Sequence, residues 1–201
     1  TSLVYEKSLY LASTNGLLKM KIDASEFLYP EYITKNGDPQ IHLLTSNDSL
    51  LFAAGNSGLF QMDNDKLVLI DEGNFSYIKL IDPYTIIGCN EKGLIRYFNS
   101  EGIWKAQILE EKIYHVISDV EFENSLWLQL DNQAVFCFTK EGVKLYDEIT
   151  LLNNDNYRFM VLDKHLVLVG EKSAYRWDEN SDKFESTLLK NYSEYLKRAD
   201  I

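Results

Sequence analysis

Cysteine is scarce in this chain. Of its 201 residues only two are cysteine, Cys89 and Cys137, each set among strand-forming neighbours. That excludes a disulfide framework, and the missing paired spacing excludes a cysteine-based zinc site; both thiols read as small apolar packing groups. Basic charge is short as well: 20 Lys and Arg stand against 31 Asp and Glu, a formal net charge of −11. No stretch gathers the cations into the stripe that a phosphate backbone demands, so nucleic acid is excluded as a partner of this segment. No apolar window approaches the roughly 18 residues of a membrane-spanning helix. The opening TSLVYEKSLY has neither a basic leader region nor a small-residue cleavage site. Membrane attachment is therefore expected only through a transmembrane helix outside the segment, and a chain that starts at Thr1 reads as a mature or excised piece.

Helical periodicity and catalytic signatures are also missing. Apart from NYSEYLKRAD near the C-terminus, no long window sustains a period of about 3.6 residues. There is no nucleophile elbow, no His-Glu-x-x-His helix and no phosphate-cradling glycine loop. The three histidines, His42, His115 and His165, fall in different parts of the chain. No catalytic residue, metal site or cofactor is expected. A carboxylate pair assembled from distant turns, such as Glu91 with Asp131, is the one acid–base arrangement left open, and it makes an enzyme the third reading.

What the sequence does have is a repeat. SLYLASTNGLLKMK (8–21) returns as LLFAAGNSGLFQMD (50–63), TIIGCNEKGLIRYF (85–98), LWLQLDNQAVFCFT (126–139) and HLVLVGEKSAYRWD (165–178), five copies that align without a gap. Each reads as a β-hairpin, and Asn15-Gly16 in the first is read as a tight turn in which both residues take positive φ. Anchored on Gly16, Gly58, Gly93, Ala134 and Ser173, the copies are spaced by 42, 35, 41 and 39 residues, the period of propeller blades. Seven positions before the anchor stand Leu9, Leu51, Ile86, Trp127 and Leu166, an apolar set that includes Trp127 as a buried aromatic. The second strand is apolar at consecutive positions, as in a sheet covered on both faces. The third alternates, with Lys19, Gln61, Arg96, Cys137 and Arg176 on an expected wetter face.

A further strand-like run follows each hairpin (26–33, 66–72, 102–109, 142–149 and 183–189), and another precedes it (3–6, 41–45, 77–81, 115–122 and 157–162). The predicted fold is therefore all-β: a β-propeller of about five four-stranded antiparallel blades over residues 1–190, with 191–201 as a tail or a link to a following domain. One such sheet cannot bury both faces alone, so stability must come from sheet stacking on sheet.

The repeated phrase resembles the two-component regulator propeller repeat, whose usual form is roughly LWIGTxxGLxRYD. LYLASTNGLLKMK, LLFAAGNSGLFQMD and IIGCNEKGLIRYF are similar to it in the hairpin and anchor positions, and the resemblance covers nearly the whole chain. It implies the periplasmic, extracytoplasmic sensor domain of a bacterial hybrid histidine kinase, Bacteroides-like in type, that binds an oligosaccharide and signals through a homodimeric receptor to a downstream kinase. Ala134 and Ser173 depart from the anchor glycine, and the usual Trp survives only as Trp127. Family domains carry more than five blades, so the chain reads as part of a larger ring, with a free-standing five-bladed ring as the alternative.

Two residue sets are candidates for ligand binding. The turns between second and third strands gather Asn15, Asn56, Asn90, Asp131 and Asn132 on one rim, where amides and carboxylates can hydrogen-bond sugar hydroxyls. The same residue types are simply what tight turns use. The first strand of each blade supplies His42, Lys79, Asp119 and Arg158, with Tyr77, His115 and Tyr157, to the wall of a central channel, which water alone could also fill. The reading that competes with ligand sensing is a non-catalytic scaffold presenting its rim to a protein partner.

Overall fold

Four tight turns place two consecutive non-glycine residues at positive φ: Glu6-Lys7, Asn64-Asp65, Glu123-Asn124 and Asp163-Lys164. Each joins two antiparallel strands, pairing Tyr5 with Ser8, Asp63 with Lys66, Phe122 with Ser125 and Leu162 with His165. This left-handed pair of residues gives the turn the twist of the strands it connects. The Asn15-Gly16 corner is built differently. Ser13 pairs with Gly16, Asn15 has no positive φ, and only the glycine does, at 109°. The expectation that both residues share the left-handed region is therefore corrected. Glycine is needed because the chain passes so close: a Cβ on Gly16 would lie 1.7 Å from Thr34 Oγ1, and one on Gly93 (φ 126°) 2.0 Å from the Glu110 carbonyl oxygen.

A computed structural model describes residues 1–22, 30–34, 39–132, 134–139, 142–146, 157–170 and 173–187. The chain divides into two compact units, Thr1–His115 and Val116–Ile201. The first holds three four-stranded antiparallel sheets: β1 (Ser2–Tyr5), β2 (Ser8–Ser13), β3 (Gly16–Lys21) and β4 (Glu31–Tyr32); β5 (Ile41–Ser46), β6 (Leu51–Gly55), β7 (Gly58–Asp63) and β8 (Lys66–Asp71); β9 (Tyr77–Asp82), β10 (Thr85–Asn90), β11 (Gly93–Ser100) and β12 (Ile103–Glu110). The second unit holds two: β13 (Val116–Phe122), β14 (Ser125–Leu130), β15 (Val135–Phe138) and β16 (Val143–Tyr146); β17 (Arg158–Leu162), β18 (His165–Val169), β19 (Ala174–Asp178) and β20 (Lys183–Thr187). Every sheet is a meander in chain order, and no helix occurs among the described residues. The proposed tail, 191–201, lies outside those residues, as does the first half of the 26–33 run, of which Glu31–Tyr32 forms the fourth strand.

Successive residues of a strand point to opposite faces, so a strand with apolar residues at every position serves two neighbours at once. In the first unit Tyr10 and Leu17 of the first sheet pack on Leu51, Ala53 and Phe60 of the second. Phe52, Ala54 and Leu59 on the second sheet's other face pack on Ile86, Ile95 and Tyr97 of the third. All five residues of β6 and all six of β10 are buried. In the second unit Trp127, Val135 and Cys137 meet Leu166, Leu168 and Phe159. Burying an aromatic such as Phe52 contributes on the order of 1.5–3 kcal/mol.

The fourth sheet breaks the gapless alignment. Leu130 N–H donates to the Ala134 carbonyl at 2.9 Å, so three residues separate the strands where the first three sheets use two. Trp127 pairs with Cys137 as Phe52 does with Gln61, and it therefore takes the place of Tyr10, Phe52, Ile87 and Val167 rather than of Leu51 and Leu166. It is still buried, 3% exposed. One extra turn residue shifts the register, and a shift of one exchanges the faces.

Candidate functional site

The turns between second and third strands are held by their own side chains. Ser13 Oγ accepts from Asn15 N–H at 3.2 Å, Asn90 Oδ1 from Lys92 N–H at 2.8 Å, and Asn132 Oδ1 from Ala134 N–H at 2.9 Å. Short polar side chains bond the backbone two residues on wherever a strand must reverse. Asn56 is tied to the incoming loop, its Nδ2 donating to Gln40 Oε1 at 2.7 Å. Asn15, Asn56, Asp131 and Asn132 are exposed. Asn90 is not a surface rim residue: it is 1% exposed, and that expectation is corrected. Its side chain shares the face of β10 that carries Ile86, turned to the second sheet, because residues two apart point the same way.

Around Asn90 the loop that leaves β8 is bound to the β10–β11 turn. Lys92 Nζ donates to Asp71 Oδ1 and Oδ2 at 3.0 and 3.2 Å and to the Glu72 carbonyl at 3.3 Å. Glu91 Oε2 accepts from Asn74 N–H at 2.7 Å, and the Tyr97 hydroxyl donates to Asp71 Oδ2 at 2.8 Å. Burial and the adjacent Asp71 carboxylate push the Tyr97 hydroxyl far above its ordinary pKa, so it remains a donor. Asp71, Gly73 and Glu91 thus join this corner, and nothing in the repeat alignment pointed to the loop residues, which lie between repeats.

The first-strand residues are dispersed. His42 of β5 is half-buried and donates from Nε2 to the Phe75 carbonyl at 2.8 Å, while its own carbonyl accepts from Thr1 Oγ1 at 2.5 Å. His42 therefore ties the second sheet to the strand entry of the third. Lys79 on β9 is half-buried; Asp119 on β13 and Arg158 on β17 are exposed. Tyr157, expected on a channel wall, is 1% exposed and packs among Trp127, Phe159 and Leu168, its hydroxyl 2.8 Å from Ser173 Oγ. Tyr157 stands two residues before Phe159 and so shares its inward face, while Arg158 between them points out. Tyr114, which the sequence did not single out, exposes 55% of its surface, and its carbonyl accepts from Ser76 Oγ at 2.6 Å, beside the end of β10.

Both cysteines are buried, and desolvation pushes the Cys137 thiol up to about 11. Among the described residues no group of three or more His, Cys, Asp or Glu is placed to hold a metal ion. No helix among them is long and apolar enough to cross a membrane. The geometry offers exposed amides, carboxylates and ammonium groups on rigid turns, a chemistry of hydrogen bonding to polar ligands.

No protein-family model matches the sequence, and no curated protein matches it. Solved structures do. The extracellular domain of BT4673 from B. thetaiotaomicron, assigned to a hybrid two component system, is similar with a TM-score of 0.63 at 15% identity, over 93% of this chain and 27% of that one. The corresponding domain of BT3049 from B. thetaiotaomicron gives 0.56 at 12%, over 92% and 29%. The WD40 β-propeller domain of Doa1 gives 0.59 at 14%, over 90% and 65%. The chain spans little more than a quarter of the two bacterial domains. At these identities the likeness is one of fold, and the chain is a β-propeller of four-stranded blades.

Proposed function

We propose that this chain is a ligand-sensing propeller segment of an extracytoplasmic receptor of the two-component type, reading an oligosaccharide and passing the signal to a kinase elsewhere in the receptor. The likeness to the extracellular domains of BT4673 and BT3049 carries the reading, because it runs over more than nine-tenths of the chain in both cases. The exposed turn residues Asn15, Asn56, Asp131 and Asn132, with Lys79, Asp119 and Arg158 on the first strands, are the ligand contacts in this reading; His42 and the Asn90 side-chain Oδ1 hold the scaffold. The segment itself is non-catalytic, works in a periplasmic homodimeric receptor, and needs no cofactor.

A thermal-shift screen with cellohexaose, xylohexaose, mannohexaose and arabinohexaose tests this, since a ligand that binds only the folded state raises the melting temperature. A saturable rise with one glycan supports the reading; flat melting curves throughout count against it. A second reading, a scaffold that presents its turns to a protein, is favoured by the commitment of Asn56, Asn90 and Asn132 to their own turns and loops. Cleavage of a bound glycan would instead point to an enzyme.

A further inference from the structure

Asn90 presents an unsatisfied donor. Its Oδ1 is fixed by the Lys92 N–H, so the amide cannot be turned over without setting two donors against each other. Its Nδ2 is buried and has no acceptor. Leaving such a group unpaired costs about 1–3 kcal/mol, which a fold rarely tolerates without a reason.

Nδ2 faces the bare α-carbon of Gly73. The point that a Cβ would occupy there lies 2.8 Å from Asn90 Nδ2 and 3.0 and 3.2 Å from the two Glu91 carboxylate oxygens. A donor and an acceptor therefore converge beside a residue with no side chain, at φ 141°. A hydroxyl is the group that satisfies both, accepting from an amide and donating to a carboxylate. A carbonyl could not donate to Glu91, and an ammonium could not accept from Asn90. The exposed Glu91 and Lys92 side chains strap the Asp71–Asn74 loop over this corner, bonding Asn74 N–H, Asp71 and the Glu72 carbonyl.

We propose that Asn90, Glu91 and Gly73 form a subsite for one hydroxyl of a saccharide, with Asn90 Nδ2 donating and the Glu91 carboxylate accepting. The subsite rests on the oligosaccharide reading above and gives it a place in the first unit.

The test is a titration of the whole ¹⁵N-labelled chain with D-xylose, D-mannose, D-galactose and cellotetraose, following the Asn90 side-chain amide and the Asn74 backbone amide by NMR. Saturable shifts of both signals with at least one sugar are expected. Glu91→Gln, whose amide oxygen can still accept from Asn74, should then weaken that sugar by about tenfold, the worth of one hydrogen bond to a charged group. Shifts confined to other turns overturn the subsite and leave the saccharide reading standing. Shifts at the corner that Glu91→Gln does not weaken overturn it too, because the carboxylate would then make no contact with the sugar. No shift with any sugar counts against both.

Discussion

Lys19 of β3 donates to Asp65 in the β7–β8 turn, Nζ to Oδ1 2.5 Å, across the gap between the first and second sheets. The next copy repeats the device with neutral groups: Gln61, three positions after its anchor as Lys19 is after Gly16, accepts from Trp104 Nε1 of the third sheet at 3.0 Å. In the second unit the job passes to β16, where Lys144 and Tyr146 bond Asp182 of the β19–β20 turn. In the first unit, polar residues on the third strand are thus aimed at the neighbouring sheet, and in the second a fourth strand does the same.

These links differ in worth. Asp65 is more than half exposed, so Asp65→Asn should cost well under 1 kcal/mol, whereas Trp104→Phe leaves the half-buried Gln61 oxygen without its donor and should cost about 1 kcal/mol. Denaturant midpoints of the two variants check this; the reverse order would show that packing, not bonding, joins the sheets.

Trp127 lies 4.8 Å from the Trp177 ring, 5.3 Å from Tyr146 and 5.6 Å from Phe184, and its indole N–H donates to Ser125 Oγ at 2.8 Å. Trp127→Ala should destabilise the second unit by about 3–5 kcal/mol. An unchanged urea midpoint would place the ring in water and refute the register described for the fourth sheet.

How much of this the sequence held can be read at particular residues. The apolar runs of β6 and β10 announce strands covered on both faces, because only stacked sheets bury consecutive side chains. Trp127 shows the limit: pattern matching aligned it with Leu51, since a single inserted turn residue leaves the apolar character of either neighbour unchanged. Lys19 and Gln61 carry the right period of two, but the period says only that a face is polar, not whether water or the next sheet lies against it. The corner at Asn90 was half legible. The turn residue was in the repeat and Asp71 ended a run legible as a strand, while Gly73 lies in a connection whose length varies between copies.

Gly93 and Gly102 both have left-handed φ, 126° and 82°. An added Cβ meets the Glu110 carbonyl oxygen at 2.0 Å in the first case and nothing within 4 Å in the second. Gly102→Ala should therefore cost only the backbone strain, about 1–2 kcal/mol, and Gly93→Ala clearly more, because backbone must move. Thermal melts of the two variants decide it, and equal losses would mean that the fourth strand yields easily.

The raised Cys137 pKa gives a pH signature. At about 11 against an unfolded value near 8.5, the neutral thiol is favoured by the fold. Its contribution is fully present below the unfolded pKa and is lost as pH rises towards 11. At pH 8 about one thiol in a thousand is ionised, so iodoacetamide should label Cys137, and the fully buried Cys89, only when denaturant is added. Mass spectrometry of the native protein reads this directly; rapid labelling of Cys137 without denaturant would show that the second unit opens, and of Cys89 that the first does.

The turn residues separate by what their side chains already do. Asp131 is exposed, and Asp131→Ala should shift stability by no more than about 0.5 kcal/mol. Asn132→Ala removes the acceptor of Ala134 N–H and should cost about 0.5–1.5 kcal/mol. Asn90→Ala removes the Lys92 cap from a site 1% exposed and should cost the most of the three, about 1–3 kcal/mol. A binding loss in a variant of Asn90 or Asn132 could therefore come from a loosened turn. Asn15→Ala and Asp131→Ala reduce that ambiguity, because both side chains are exposed while Ser13 and Asn132 supply the acceptors for Asn15 N–H and Ala134 N–H. If the turns read an oligosaccharide, the doubly substituted protein should melt within a degree or two of the parent, in keeping with surface changes of that size, and lose glycan affinity by about tenfold in calorimetry. Full affinity in a protein of unchanged stability would move recognition off these turns to Lys79, Asp119 and Arg158.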